Sequence, residues 1–130
     1  MGYGPIENAK PVVVEENALL IRISRVYHSN MTPLELYEAT RGTWRLGPRR
    51  NKAEFAFAVY HGVVVEVYRI NRWLPAGSTD YTTRNGRQLN VKGRWEFEGA
   101  VDKELSERYV GKSVRDYLDG QNPTVYVGCC

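Results

Sequence analysis

The stretch "EFAFAVYHGVVVEVYRI", Glu54 to Ile70, constrains the fold more than any other part of the chain. Two apolar runs rich in β-branched and aromatic residues flank His61-Gly62, and a two-residue link with a glycine that tolerates positive φ predicts a tight β-hairpin. Hydrophobicity runs almost unbroken through both arms instead of alternating. That is the pattern of central strands covered on both faces, so a helix is expected to pack on at least one side of the pair. With 130 residues, 42% hydrophobic and 25% charged, the chain can bury a core without metal or disulfide support. It is read as one domain over residues 1–130.

Other segments arrange themselves around this hairpin. Residues 1–17, with Gly2, Gly4, Pro5 and Pro11, read as an irregular lead-in carrying a short edge strand at Val12 to Val14. "ALLIRISRVY", Ala18 to Tyr27, is the first core strand. In "MTPLELYEAT", Thr32 can cap a helix, Pro33 suits its first position and Glu35 can reach back to the cap N–H. This predicts a helix from Pro33 to about Thr40 with Leu34, Leu36 and Tyr37 as its apolar face and Gly42 as its end. "RWEFEGAV" alternates, which sends Trp95 and Phe97 to the core and Arg94, Glu96 and Glu98 outward. "DKELSERYV" and "SVRDYL" read as short helices capped by Asp102 and Ser113, and "NPTVYV" as the last strand. The polar stretch Ser78 to Gly93 centres on Asn85-Gly86, a strong hairpin signal, and predicts a projecting β-hairpin arm. Strands dominate without alternating with helices. The expected class is α+β: a strongly curved mixed sheet or partial barrel with a few short helices, plus the arm.

No window is apolar enough to span a membrane, and "MGYGPIENAK" lacks the apolar run of a secretory signal, so a cytoplasmic protein without a membrane partner is expected. Cys129 and Cys130 are adjacent and read as a tail, since neighbouring cysteines cannot cross-link distant segments. His28 and His61 are the two histidines, and no H-E-x-x-H, C-x-x-C or G-x-S-x-G motif occurs. "YVGKS" ends like a phosphate loop, but Ser106 stands where its first glycine belongs. Glu35, Glu38, Glu66, Glu96 and Glu98 read as solvated. No metal, cofactor or catalytic set is proposed, and a non-enzymatic domain is favoured over a hydrolase or nuclease built on His28 or His61 with a glutamate.

The net charge of +3 is modest but unevenly placed, because "RGTWRLGPRRNK" carries five cations and no acid. Gly42 and Gly47 would let backbone N–H groups approach an anion. Arg41, Arg45, Arg49, Arg50 and Lys52 could pair with phosphates, and Trp44 offers a face for a base. The plainer reading of the same residues is a solvated helix-to-strand connection with Trp44 as a core anchor. "RINRWLP" adds Arg69, Arg72 and Trp73, and the arm adds Tyr81, Arg84, Arg87 and Lys92, with Arg94 just beyond. Were Trp44 and Trp73 to face one concavity, they would form two walls of a base-binding cage.

The run "LYEATRGTWRLGPRRNKAEFAFAVYHGVVVEVYRINRW", followed by "RWEFEG" and "RYVGKSVRDYLDGQNPTVYV", resembles a family of small bacterial and phage proteins over most of the chain from Leu20 onward. More loosely, through a curved sheet with a helix after its first strand and through the long hairpin, the chain is similar to the PUA-like superfamily that includes EVE, ASCH and YTH domains. That resemblance implies a barrel-like sheet whose concave side takes a nucleobase, often a modified one, within RNA or DNA. Carried onto this chain, it implies Trp44 and Trp73 at the base and the Arg41 to Lys52 loop at the backbone, while the arm has no counterpart. The expected function is a nucleic-acid-binding domain. The alternative is a pocket for a free or cyclic nucleotide in a signal-sequestering or defence-related protein, and a homodimer is left open.

Overall fold

The computed structural model describes residues 9–84 and 92–129. The hairpin forms where its sequence demands: β3 (Phe55–Tyr60) and β4 (Val63–Pro75) are antiparallel neighbours, and His61 (φ 50°) and Gly62 (φ 81°) both turn through the left-handed region. That twist matches the twist of the flanking strands. β1 (Ala18–Arg22) lies parallel to β3 and antiparallel to β6 (Thr124–Val127). On the other side β5 (Trp95–Val101) joins β4, and β2 (Gly42–Trp44) closes the row. The result is an α+β domain whose six-stranded mixed sheet, in the order β2-β5-β4-β3-β1-β6, curls into a half-barrel. Gly99 has a specific role in it. A Cβ there would run into the Arg69 carbonyl, so only glycine lets β4 and β5 pass this closely beside the register shift at Ile70 to Arg72.

Both faces of the central strands are covered, as the unbroken apolar runs required. On one face Leu20, Phe57, Val64 and Val67 pack with Leu105 and Tyr109 of helix α2 (Lys103–Tyr109). On the other, Leu19, Ile21, Ala56, Ala58, Tyr68 and Phe97 form a second core. Tyr37 of helix α1 (Pro33–Arg41) packs against it, with ring contacts to Tyr68 and Phe97. The capping box at Thr32 is present: its hydroxyl accepts from Glu35 N–H at 3.1 Å, and the Glu35 carboxylate accepts from Thr32 N–H at 2.9 Å. Among the described residues no helix is long and apolar enough to cross a membrane.

Several expectations need correction. The first strand stops at Arg22 because Val26 and Tyr27 donate back to the Ile23 carbonyl in a turn. The lead-in makes an isolated bridge from Pro11 to Ser113 instead of a strand at Val12 to Val14, and Val14 N–H donates to the Tyr117 hydroxyl. "SVRDYL" forms only a 3-10 turn at Arg115–Tyr117. The head of the basic loop, Gly42–Trp44, is an edge strand, and its later part, Pro48–Lys52, is a 3-10 turn. Within the expected arm, Ser78 to Arg84 form no strand and fold against α1, while Asn85-Gly86 and Arg87 lie outside the described residues, as does Cys130.

Candidate functional site

Strand alternation places Glu96 opposite Phe97, on the face expected to meet water. Glu96 is nevertheless fully buried (0% exposed) because the chain after β4 folds over that face. Its carboxylate accepts from Gly77 N–H at 3.2 Å, Thr79 Oγ1 at 2.5 Å and Tyr81 Oη at 3.3 Å, and lies 3.7 Å from Arg41 Nη1. Glu38 is buried in the same node and accepts from Thr82 N–H at 2.9 Å, Thr83 N–H at 2.7 Å and Thr83 Oγ1 at 2.6 Å. The Arg41 guanidinium lies 4.1 Å from the centre of the Tyr81 ring and donates to the Asp80 carbonyl at 3.3 Å. The inner face of α1 is therefore mixed: Leu36 and Tyr37 pack on the second core, Glu38, Thr40 and Arg41 are buried beside them, and Leu34 is exposed.

The node has a signature in acid. Desolvation alone would raise the Glu38 pKa, but the N–H of Thr82, the hydroxyl and N–H of Thr83, and the Arg41 charge outweigh it and hold the carboxyl below its ordinary 4.5. A depressed folded-state pKa contributes stability that is present above the unfolded value and lost as pH falls through the folded one. Urea midpoints measured from pH 6 downward are expected to fall once the pH drops below about 4.5, and Glu38→Gln should flatten that fall. Tyr81 shifts the other way: burial first, and Glu96 beside it, push its phenol above its ordinary 10 despite the nearby Arg41.

The node supports one wall of a cleft of about 620 Å³. Arg84 Nη1 donates to the carbonyls of Glu38 and Gly42, and Arg94 Nη1 donates to the Thr43 carbonyl at 3.3 Å. Trp44, the next residue, donates from Nε1 to the Thr40 carbonyl at 2.8 Å, which fixes its indole between the cleft and the core. Arg22 and Arg25 face this wall from the end of β1 and the turn after it. Three strands separate β1 from β2 in the sheet order, so only the curl of the half-barrel lets them line one cavity. A second concavity of about 680 Å³ shares Arg22 and Ser24 with the first and continues to His61 and Arg115. Arg22 is steadied by the Gly120 carbonyl at 2.9 Å, and Arg115 by that of His61 at 3.0 Å. Among the described residues the two concavities together present five arginines and no carboxylate.

The expected site residues are dispersed across this structure. Arg41 is buried with Glu96 as its counterion, which removes it from any phosphate-binding surface. Arg49 donates to the Cys129 and Gly128 carbonyls at 2.9 and 3.1 Å, and Arg50 lies 3.3 Å over the Trp95 ring. Trp95 is consequently half-buried under a cation and not a core residue. Arg45 and Lys52 are exposed, and none of these loop cations lines the cleft. Trp73 packs edge-on to Phe97 at 5.4 Å and is not a cleft residue, so the two-tryptophan cage does not form. Arg69 pairs with Asp102 at 3.6 Å and Arg72 with Glu98 at 2.6 Å, both outside the cleft. Tyr81 belongs to the buried node, and Arg84 reaches the cleft. Arg22, Arg25 and Arg115 were missed because each reads as the polar face of an ordinary element. Only the strand order brings them together.

His28 is exposed and 3.9 Å from Glu35, the capping carboxylate, and His61 sits in a turn beside a wall on which, among the described residues, there is no carboxylate. No group of three or more potential metal ligands occurs among the described residues. Comparison with protein-family models, curated proteins and solved structures returned no match.

Proposed function

We propose that the protein is a non-enzymatic nucleic-acid-binding domain that seats one base against Trp44 and runs the adjoining phosphates along the arginine-lined groove. The observation that carries this reading is that two concavities share Arg22 and Ser24 and are lined, among the described residues, by five arginines, no carboxylate and the Trp44 ring. Arginine neutralises and forks onto phosphate, and an indole stacks on any base. The resemblance to PUA-like domains lends support, since there too a curled sheet would offer its concave side to a base. The Arg41 to Lys52 loop becomes a scaffold in this reading: it supplies Trp44 and β2, while the cations that touch the ligand come from elsewhere.

Salt dependence tests it. If about three phosphates of a single strand are neutralised, affinity measured by fluorescence anisotropy should fall roughly 20-fold between about 50 and about 200 mM salt. Arg25→Glu, at an exposed position on the cleft, should weaken binding and flatten that slope without lowering the unfolding midpoint. Salt-independent binding, or none, would refute the reading. The cleft volume of about 620 Å³ also suits a free nucleotide. That second reading would be favoured if a mononucleotide bound as tightly as an oligonucleotide.

A further inference from the structure

We infer that the cleft selects guanine, held by the acceptor edge formed by its N7 and O6 atoms. The inference rests on the nucleic-acid reading above and concerns which base that site prefers. Two guanidiniums, Arg84 and Arg94, stand on one wall and are anchored from behind: each gives its Nη1 to carbonyls of α1 or β2. The Gly42 and Thr43 carbonyls, which could have read a base's amino group, are thereby already engaged. Nη2 of both arginines has no acceptor among the described residues, and Arg94 Nε is buried without one, out of a ligand's reach. Arg22 and Arg25 line the same cleft as further donors, and its remaining polar side chains, Ser24, Thr43 and Gln121, can donate as well as accept.

Such a wall discriminates by hydrogen-bond polarity. Guanine offers two adjacent acceptors to an arginine fork, whereas adenine pairs an acceptor with an amino donor and cytosine presents an amino donor. A donor facing a donor leaves both unsatisfied in a partly desolvated cleft, and this cost rejects the wrong base. Trp44 adds stacking that is indifferent to base identity. The chain thus divides the work, with the ring holding any base and the two tethered guanidiniums choosing among them.

The test uses the full chain and oligothymidylates of about a dozen nucleotides that carry one central guanine, adenine, cytosine, 7-deazaguanine or abasic site. Binding is read by anisotropy at low salt. Guanine is expected to bind about ten-fold tighter than any other substituent. Loss of that preference is expected for 7-deazaguanine, which lacks N7, and for Arg94→Lys, which keeps the charge but not the fork. Equal affinity for all bases with a steep salt slope would overturn the guanine inference and leave the nucleic-acid reading standing. An abasic site binding as tightly as guanine would show that the arginines hold phosphate and would likewise overturn it. Absence of binding to every oligonucleotide would remove both.

Discussion

Glu96→Ala is expected to cost about 3–5 kcal/mol of folding stability, the range for removing one partner of a buried ion pair. The carboxylate is fully buried and carries contacts from Arg41, Thr79, Tyr81 and the Gly77 N–H. Without it, the Arg41 guanidinium would remain inside the protein with its charge uncompensated, and three donors would lose their acceptor. The loss far exceeds what an exposed strand glutamate would show, roughly within 0.5 kcal/mol of zero. Urea unfolding of wild type, Glu96→Ala, Arg41→Ala and the double variant measures it. The two single losses should sum to more than the double, because the groups share one interaction. A Glu96→Ala midpoint indistinguishable from wild type would show that the chain after β4 does not close over β5.

The second large effect separates the two tryptophans. Trp44→Ala should weaken oligonucleotide binding by about 1–3 kcal/mol, the value of one stacked base, equivalent to roughly 5- to 150-fold. Trp73→Ala should leave affinity for the folded protein unchanged and lower its stability by roughly 2–3 kcal/mol, somewhat less than a fully buried aromatic would lose. The reason is position: Trp44 borders the cleft, whereas Trp73 lies edge-on to Phe97 in the second core. Equal loss of affinity in both variants would mean that the base does not sit at Trp44. Because the Trp44 indole also bonds the Thr40 carbonyl, Trp44→Ala is expected to lose some stability as well. Binding is therefore compared at a temperature where both variants are folded.

Elements governed by near neighbours in the chain were legible. The His61-Gly62 turn, the Thr32 capping box and the doubly covered hairpin each follow from chemistry within a few residues, and each is present. The alternation in β5 was also read correctly, since Glu96 does lie opposite Phe97. Its environment was not, because the cover on that face comes from residues 77–81, and their polar composition looks like exposure to solvent. A run of Ser, Thr, Asp and Tyr satisfies buried carboxylates as readily as it meets water. The apolar face expected for α1 is present in Leu36 and Tyr37, but Leu34 is exposed, and Glu38, expected in solvent, is buried with Arg41 because residues 80–83 bring donors and an acceptor to them.

The arginines show the same division on a larger scale. Composition marked Arg41 to Lys52 as the basic centre, yet its members are spent on Glu96, on the Gly128 and Cys129 carbonyls and on the Trp95 ring, or stand away from the cleft. Charge density along the chain measures neither burial nor direction. The cleft instead joins Arg22, Arg25, Arg84 and Arg94 with Trp44, from segments scattered between residues 22 and 94. Turn, cap and strand identity follow from interactions within a few residues, and the order of side chains on its own specifies those. A concave basic surface arises only when a six-stranded sheet curls far enough to bring its first and second strands face to face. That closure depends on contacts among residues distant in the chain, which no local pattern records.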